Sequence, residues 1–153
     1  MTTGTPLSEV FDLAMQEIDD FHLINLYNQD VVTFETYMSG FLRYAIQEFD
    51  ICNQSLDFSL TTMTFTQTLT EDNKIILARL MKVFWMDRNV TDVKQMTLRL
   101  QDKREFNTYA EANNLQQKSN HLDKIRENCS QVLINYGYKN LDWSTWFNQS
   151  FGG

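Results

Sequence analysis

Proline occurs once and glycine five times in 153 residues. That is too little turn punctuation for a β-sandwich, whose short strands need a break every few residues. The two cysteines, Cys52 and Cys129, stand far apart and outside any CxxC arrangement. They make no disulfide framework, so a reducing compartment is expected. No run approaches the ~18 uninterrupted apolar residues of a membrane span. The opening MTTGTPLSEV has neither a basic residue nor an apolar run, so it is not read as a signal peptide. A cytosolic site of synthesis and assembly is the expectation. Phosphate-cradling glycine loops and a GxSxG nucleophile elbow are also missing. His22 and His121 have no second His or Cys at metal-ligand spacing. His22 beside Asp19 and Asp20 reads as a capping and solvated group. No cofactor, no metal and no catalytic centre are expected. An enzyme built on His22 and its neighbouring acids is the least supported class.

Aromatic residues, by contrast, are plentiful. Phe, Tyr and Trp make up 13% of the chain, within a hydrophobic content of 42%. That supply supports a packed core at a length suited to one domain. The expected fold is mainly α: a compact helical bundle over 1–140, with one extended Thr-rich segment and an aromatic C-terminal docking tail, 141–153.

Net charge is −7, and it is unevenly spread. Residues 1–73 hold one basic side chain, Arg43, against twelve acidic ones, a net of −11. Residues 74–153 hold twelve basic against eight acidic, a net of +4. Such asymmetry suits contact between opposite ends of neighbouring copies. It also suits a merely well-solvated acidic surface.

Along the chain, Ser8 stands where an N-cap would, followed at helical spacing by Phe11, Ala14, Met15, Ile18 and Phe21. HLINLYNQD reads as a looser connection. From Thr33, the residues Phe34, Tyr37, Met38, Phe41, Leu42, Ala45 and Phe49 predict a second helix with one strongly apolar side. SLDFSLTTMTFTQTL then alternates in part, which predicts an extended segment around Thr64, Phe65 and Thr66. In a monomer it reads as an ordered loop, and in an oligomer as a strand added to a neighbouring copy. Thr70 caps the clearest helix, LTEDNKIILARLMKVFWMDRNV, with Glu71 and Asp72 at the positive end of its dipole. Apolar residues surround much of its girth, so it belongs centrally, with several neighbours. After a mixed stretch from Thr91 to Phe106, a long polar helix runs from Thr108 to Tyr136. Its narrow stripe is Ala112, Leu115, Leu122, Ile125, Cys129, Val132, Leu133 and Tyr136, with Gly137 as the terminating glycine.

The tail NLDWSTWFNQSFGG carries no charge after Asp142. Trp143, Trp146, Phe147 and Phe151 must dock somewhere, either on their own core or on a neighbouring subunit. These four, together with Thr64, Phe65 and Thr66, are the candidate assembly residues. Arg88, Lys94, Arg99, Lys103 and Arg104 are candidate DNA- or partner-facing cations. They are spread rather than clustered, and a pI near 4.7 opposes a free DNA binder.

The segment LTEDNKIILARLMKVFWMDRNV, followed at a distance by QDKREFNTYAEANNL, resembles head–tail connector (neck adaptor) proteins of tailed bacteriophages. The resemblance covers roughly 30–137 by pattern rather than by a catalytic motif, and it leaves out the aromatic tail. It implies a structural virion protein: a helical-bundle subunit forming a ring of its own copies under the portal protein. A further neck or tail protein would lie beyond, and double-stranded DNA would pass through without sequence-specific contact. No membrane is involved, and the place of action would be the virion neck, assembled in the host cytoplasm. An acidic lumen would let DNA slide. The competing class is a small acidic helical inhibitor, a phage-encoded DNA mimic acting on a host protein through the acids of residues 9–72.

Overall fold

The computed structural model describes residues 4–101, 108–141 and 147–150, apart from the side chains of 96–101 and 108–112. The order is α1 (Leu7–Glu17), α2 (Phe21–Gln29), α3 (Val31–Glu48), β1 (Phe58–Ser59), β2 (Thr64–Phe65), α4 (Glu71–Gln101) and α5 (Thr108–Lys139). A helical turn follows at 147–150. The protein is a mainly α bundle with one small two-stranded sheet.

α4 is the hub, packing against α1, α3 and α5. Leu77, Ala78, Leu80 and Met81 are all buried, which places apolar groups on several sides of one helix. A helix of that kind is stable only when surrounded. α3 buries Phe34, Met38, Phe41, Leu42 and Ala45, the face that the sequence spacing predicts. Phe11, Phe34, Phe49 and Phe65 are fully buried side chains. Each contributes roughly 1.5–3 kcal/mol of apolar burial.

Several local expectations are corrected. Ser8 does not cap α1: the N-cap is Pro6, whose φ of −60° already suits a helix start and whose missing N–H costs nothing there. Phe21 does not continue the apolar face of α1, which ends at Glu17, and begins α2 instead. The stretch expected as a connection is therefore helical. Asp20 accepts from the Leu23 N–H and Asp30 from the Thr33 N–H, so α2 and α3 each start on an aspartate N-cap. The mixed stretch after Thr91 continues α4 to Gln101. Gly137 does not end α5, which runs on to Lys139. The Asn140 side chain instead donates back to the Tyr136 carbonyl at 2.9 Å.

The Thr-rich segment folds back on its own chain. Phe58 pairs with Phe65 and Ser59 with Thr64 in an antiparallel hairpin. The other edge of β2 is taken by the N-terminal residues. Phe65 N–H donates to the Thr5 carbonyl at 2.8 Å, Thr5 N–H to Gln67 at 3.1 Å, and Leu7 N–H to Met63 at 2.9 Å. Gly4 is required here. A Cβ on it would lie 1.7 Å from the Phe65 carbonyl oxygen, so only glycine permits the two backbones to approach so closely.

Candidate assembly interface

Three parts of the surface bear on assembly: the hairpin, the outer side of α2 and α3, and the end of α5 where the tail departs.

At the hairpin, Phe65 is 1% exposed and packs in the core. Both edges of β2 are paired within the chain. In the single chain the extended segment around Thr64, Phe65 and Thr66 finds its strand partners at home, in β1 and in the Thr5 pairing, which the sequence pattern does not reveal. The Thr64 hydroxyl is 2.8 Å from that of Thr62, and Thr66 N–H donates to the Asp57 carbonyl at 2.9 Å. What the hairpin does expose is its tip, Leu60 and neighbouring threonines.

On the helices, Phe21 is 72% exposed and Val32 is 73% exposed. Ile24, Tyr27 and Val31 between them are also open to solvent, so large apolar side chains recur through one helix–helix corner. An exposed apolar group of this extent marks an interaction surface more often than it belongs to a free monomer. The sequence pattern hides this surface, because HLINLYNQD reads as a connection.

Two grooves flank the outer side of α3. One, of about 450 Å³, lies between α3 and the hairpin tip, with Val32, Thr36, Arg43, Leu60 and Met63 among its lining. The other, of about 430 Å³, lies between α3 and α4 and is mostly aromatic: Tyr37, Phe41, Tyr44 and Phe84, with Asp87 and Arg88. Arg88 stacks over the Tyr37 ring at 5.3 Å, and burial pushes the Tyr37 hydroxyl pKa up. Gly40 lines both grooves.

Opposite charges meet within the chain. Lys74 pairs with Glu9 at 2.9 Å and with Glu71, Lys82 with Glu17 at 3.6 Å, and Lys139 with Asp72 at 2.7 Å. The hydrogen bonds from Lys74 to Glu71 and Glu9 raise its pKa. Part of the charge asymmetry therefore ties α4 to α1 rather than one copy to the next. Of the candidate cations, Arg88 and Lys94 are exposed on α4. Arg99 lies on the same helix with its side chain outside the described residues, as Lys103 and Arg104 lie wholly outside them.

At the far end, Tyr136, Asn140, Asn53, Gln54 and Asn73 form one polar network. Asn73 Nδ2 donates to Gln54 Oε1 at 2.7 Å and to Asn53 Oδ1 at 3.1 Å, and Asn53 Nδ2 donates to Asn140 Oδ1 at 3.1 Å. This pins the end of α5 to the loop after α3, and Leu141 leaves from a fixed point. Phe147 is 59% exposed, while Trp143, Trp146 and Phe151 lie outside the described residues. His22 is exposed, and its neighbour Asp20 is engaged as an N-cap. Among the described residues no three His, Cys, Asp or Glu side chains gather to hold a metal, and no helix is long and apolar enough to cross a membrane.

Compared with known proteins, the chain matches no family model, no curated protein and no solved structure.

Proposed function

We propose that this chain works by assembly, as a head–tail adaptor that forms a ring under a phage portal and extends the DNA channel toward the tail. The observation that supports this best is the run of exposed apolar side chains from Phe21 to Val32 on α2 and α3. A ring subunit needs such a face, because heterologous contacts repeat around the circle and bury the same surface on every copy. The pattern of α4 and α5, which resembles neck adaptors, points the same way. In this reading the chain acts at the virion neck after assembly in the host cytoplasm. Its partners are other copies of itself, the portal and a further neck or tail protein, with DNA passing through.

The DNA-mimic reading fares worse on the acids themselves. Glu9, Glu17 and Asp72 are in ion pairs with lysines, and Asp20 and Asp30 cap helices. Carboxylates committed in this way are poorly placed to imitate a phosphate row.

The test is to mix the purified chain with the portal complex of the same gene cluster and follow co-sedimentation and negative-stain images. A ring at the narrow end of the portal is the expected result. No binding to an intact portal would sink the adaptor reading and move the acidic inhibitor to first place.

A further inference from the structure

We infer that the outer face of α3, centred on Gly40, receives the aromatic C-terminal segment of a second copy of this chain. The inference deepens the assembly reading by naming the surface and its occupant.

Gly40 is the first observation. Glycine inside a helix is unfavourable relative to alanine, so a gain elsewhere from the missing side chain would offset that cost. A Cβ built at Gly40 meets nothing within 4 Å, so the fold itself does not need it. What remains is close approach from outside. Gly40 lies where the two α3 grooves meet, and Val32, Tyr44 (57% exposed) and Leu60 (45% exposed) stand around it in solvent.

The occupant follows from chemistry. The groove between α3 and α4 is walled by Tyr37, Phe41, Tyr44 and Phe84, which suits aromatic side chains packing edge to face. The segment 142–153 offers Trp143, Trp146, Phe147 and Phe151 and carries one charge, Asp142 at its start. Arg43 is the single cation among the first 73 residues. It lines the adjoining groove, and among the described residues no carboxylate pairs with it. Glu35 lines the same groove without pairing with Arg43, so the one acid at the head of an uncharged aromatic segment has one unpaired arginine to meet beside an aromatic groove.

The test uses a fluorescein-labelled peptide of residues 142–153 titrated with the full-length chain by fluorescence anisotropy. Saturable binding is expected, weakened about tenfold or more by Gly40→Trp, which fills the close approach, and by Arg43→Glu. A peptide carrying Asp142→Arg should bind Arg43→Glu better than it binds the unaltered chain. No saturable binding to the full-length chain overturns the inference, whether the face is filled by the chain's own tail or by nothing. Equal binding by Gly40→Trp also overturns it. If that variant does not fold, the charge swap decides alone. Peptide binding without a portal ring would remove the adaptor reading and leave this face standing. A portal ring built by a folded Gly40→Trp chain would do the reverse.

Discussion

Tyr136 and Asn53 hydrogen-bond to each other twice across 83 residues: the Tyr136 hydroxyl donates to Asn53 Oδ1, and the Asn53 N–H donates back to the same hydroxyl oxygen at 3.0 Å. The pair joins the end of α5 to the loop after α3, and Asn73 joins it from the first turn of α4. The network predicts an order of mutational costs. Asn73→Ala removes two donated bonds, but Gln54 Oε1 keeps the Thr70 N–H and Asn53 Oδ1 keeps Tyr136. It also removes Asn73 Oδ1, a buried oxygen with no partner among the described residues. Its cost should be about 1 kcal/mol. Asn53→Ala leaves the Tyr136 hydroxyl proton only the weak acceptor Cys52 Sγ at 3.9 Å and strands one Asn73 N–H, so it should cost about 2–3 kcal/mol. Urea melts of the two variants measure both, and the reverse order would mean the network is wired differently.

Gly4 gives the second prediction. Gly4→Ala must push the N-terminal strand off the Phe65 carbonyl, because the added carbon has backbone rather than a yielding side chain in its way. The loss should be roughly 2 kcal/mol. Amide exchange at Phe65, whose N–H donates to Thr5, should speed up more than exchange within α4. Unchanged protection at Phe65 would contradict the pairing.

These two sites show where the sequence was legible and where it was not. The apolar faces of α3 and α4, the central place of α4 and most of the α5 stripe follow from spacing alone, since periodic burial writes itself into periodic sequence. The Leu7–Thr5 pairing with β2 did not follow, because it joins residues some sixty positions apart and a strand of two residues carries almost no pattern. Gly137 misled for a related reason: a glycine marks a helix end only when its φ turns positive, and no described glycine has a positive φ. α2 was hidden because its outward face is apolar. Phe21, Ile24 and Val32 blur the amphipathic signal, and that same exposure is what marks the candidate interface.

Stability should fall on the alkaline side, starting near pH 8.5. Burial raises the pKa of the Cys129 thiol and of the Tyr136 hydroxyl, and the hydrogen bonds to Glu71 and Glu9 raise that of Lys74. In each case the folded chain holds its proton to higher pH than the unfolded chain. The stabilisation is thus complete below the unfolded values of about 8.5, 10 and 10.4, and is lost as pH rises through the folded ones. Asp30 has the opposite sense: its bonds from Thr33 lower its pKa, so its contribution is present above about pH 3.9 and lost as pH falls further. Thermal melts between pH 7 and 10.5 test the alkaline limb, and Cys129→Ala should make its first part shallower. A melting temperature flat to pH 10 would show that these groups titrate alike in both states.

Removing residues 142–153 should leave the melting temperature of the isolated chain within about 2 °C of the full-length value. The reason lies upstream of the cut. α5 is anchored by Tyr136 and by the Asn140 side chain, whose bonds to the Tyr136 carbonyl and to Asn53 are complete before the tail begins. Leu141 is exposed, and Phe147 is 59% exposed, so the described part of the tail adds little buried area to its own domain. A melting temperature held after the cut would leave the aromatics of 142–153 to gain their burial from a neighbour, and the deletion would then be felt in assembly. A fall of several degrees would mean that Trp143, Trp146 or Phe151 packs on the chain's own core. The tail would then be part of the domain, and assembly would have to rest on the α2 and α3 surface without it.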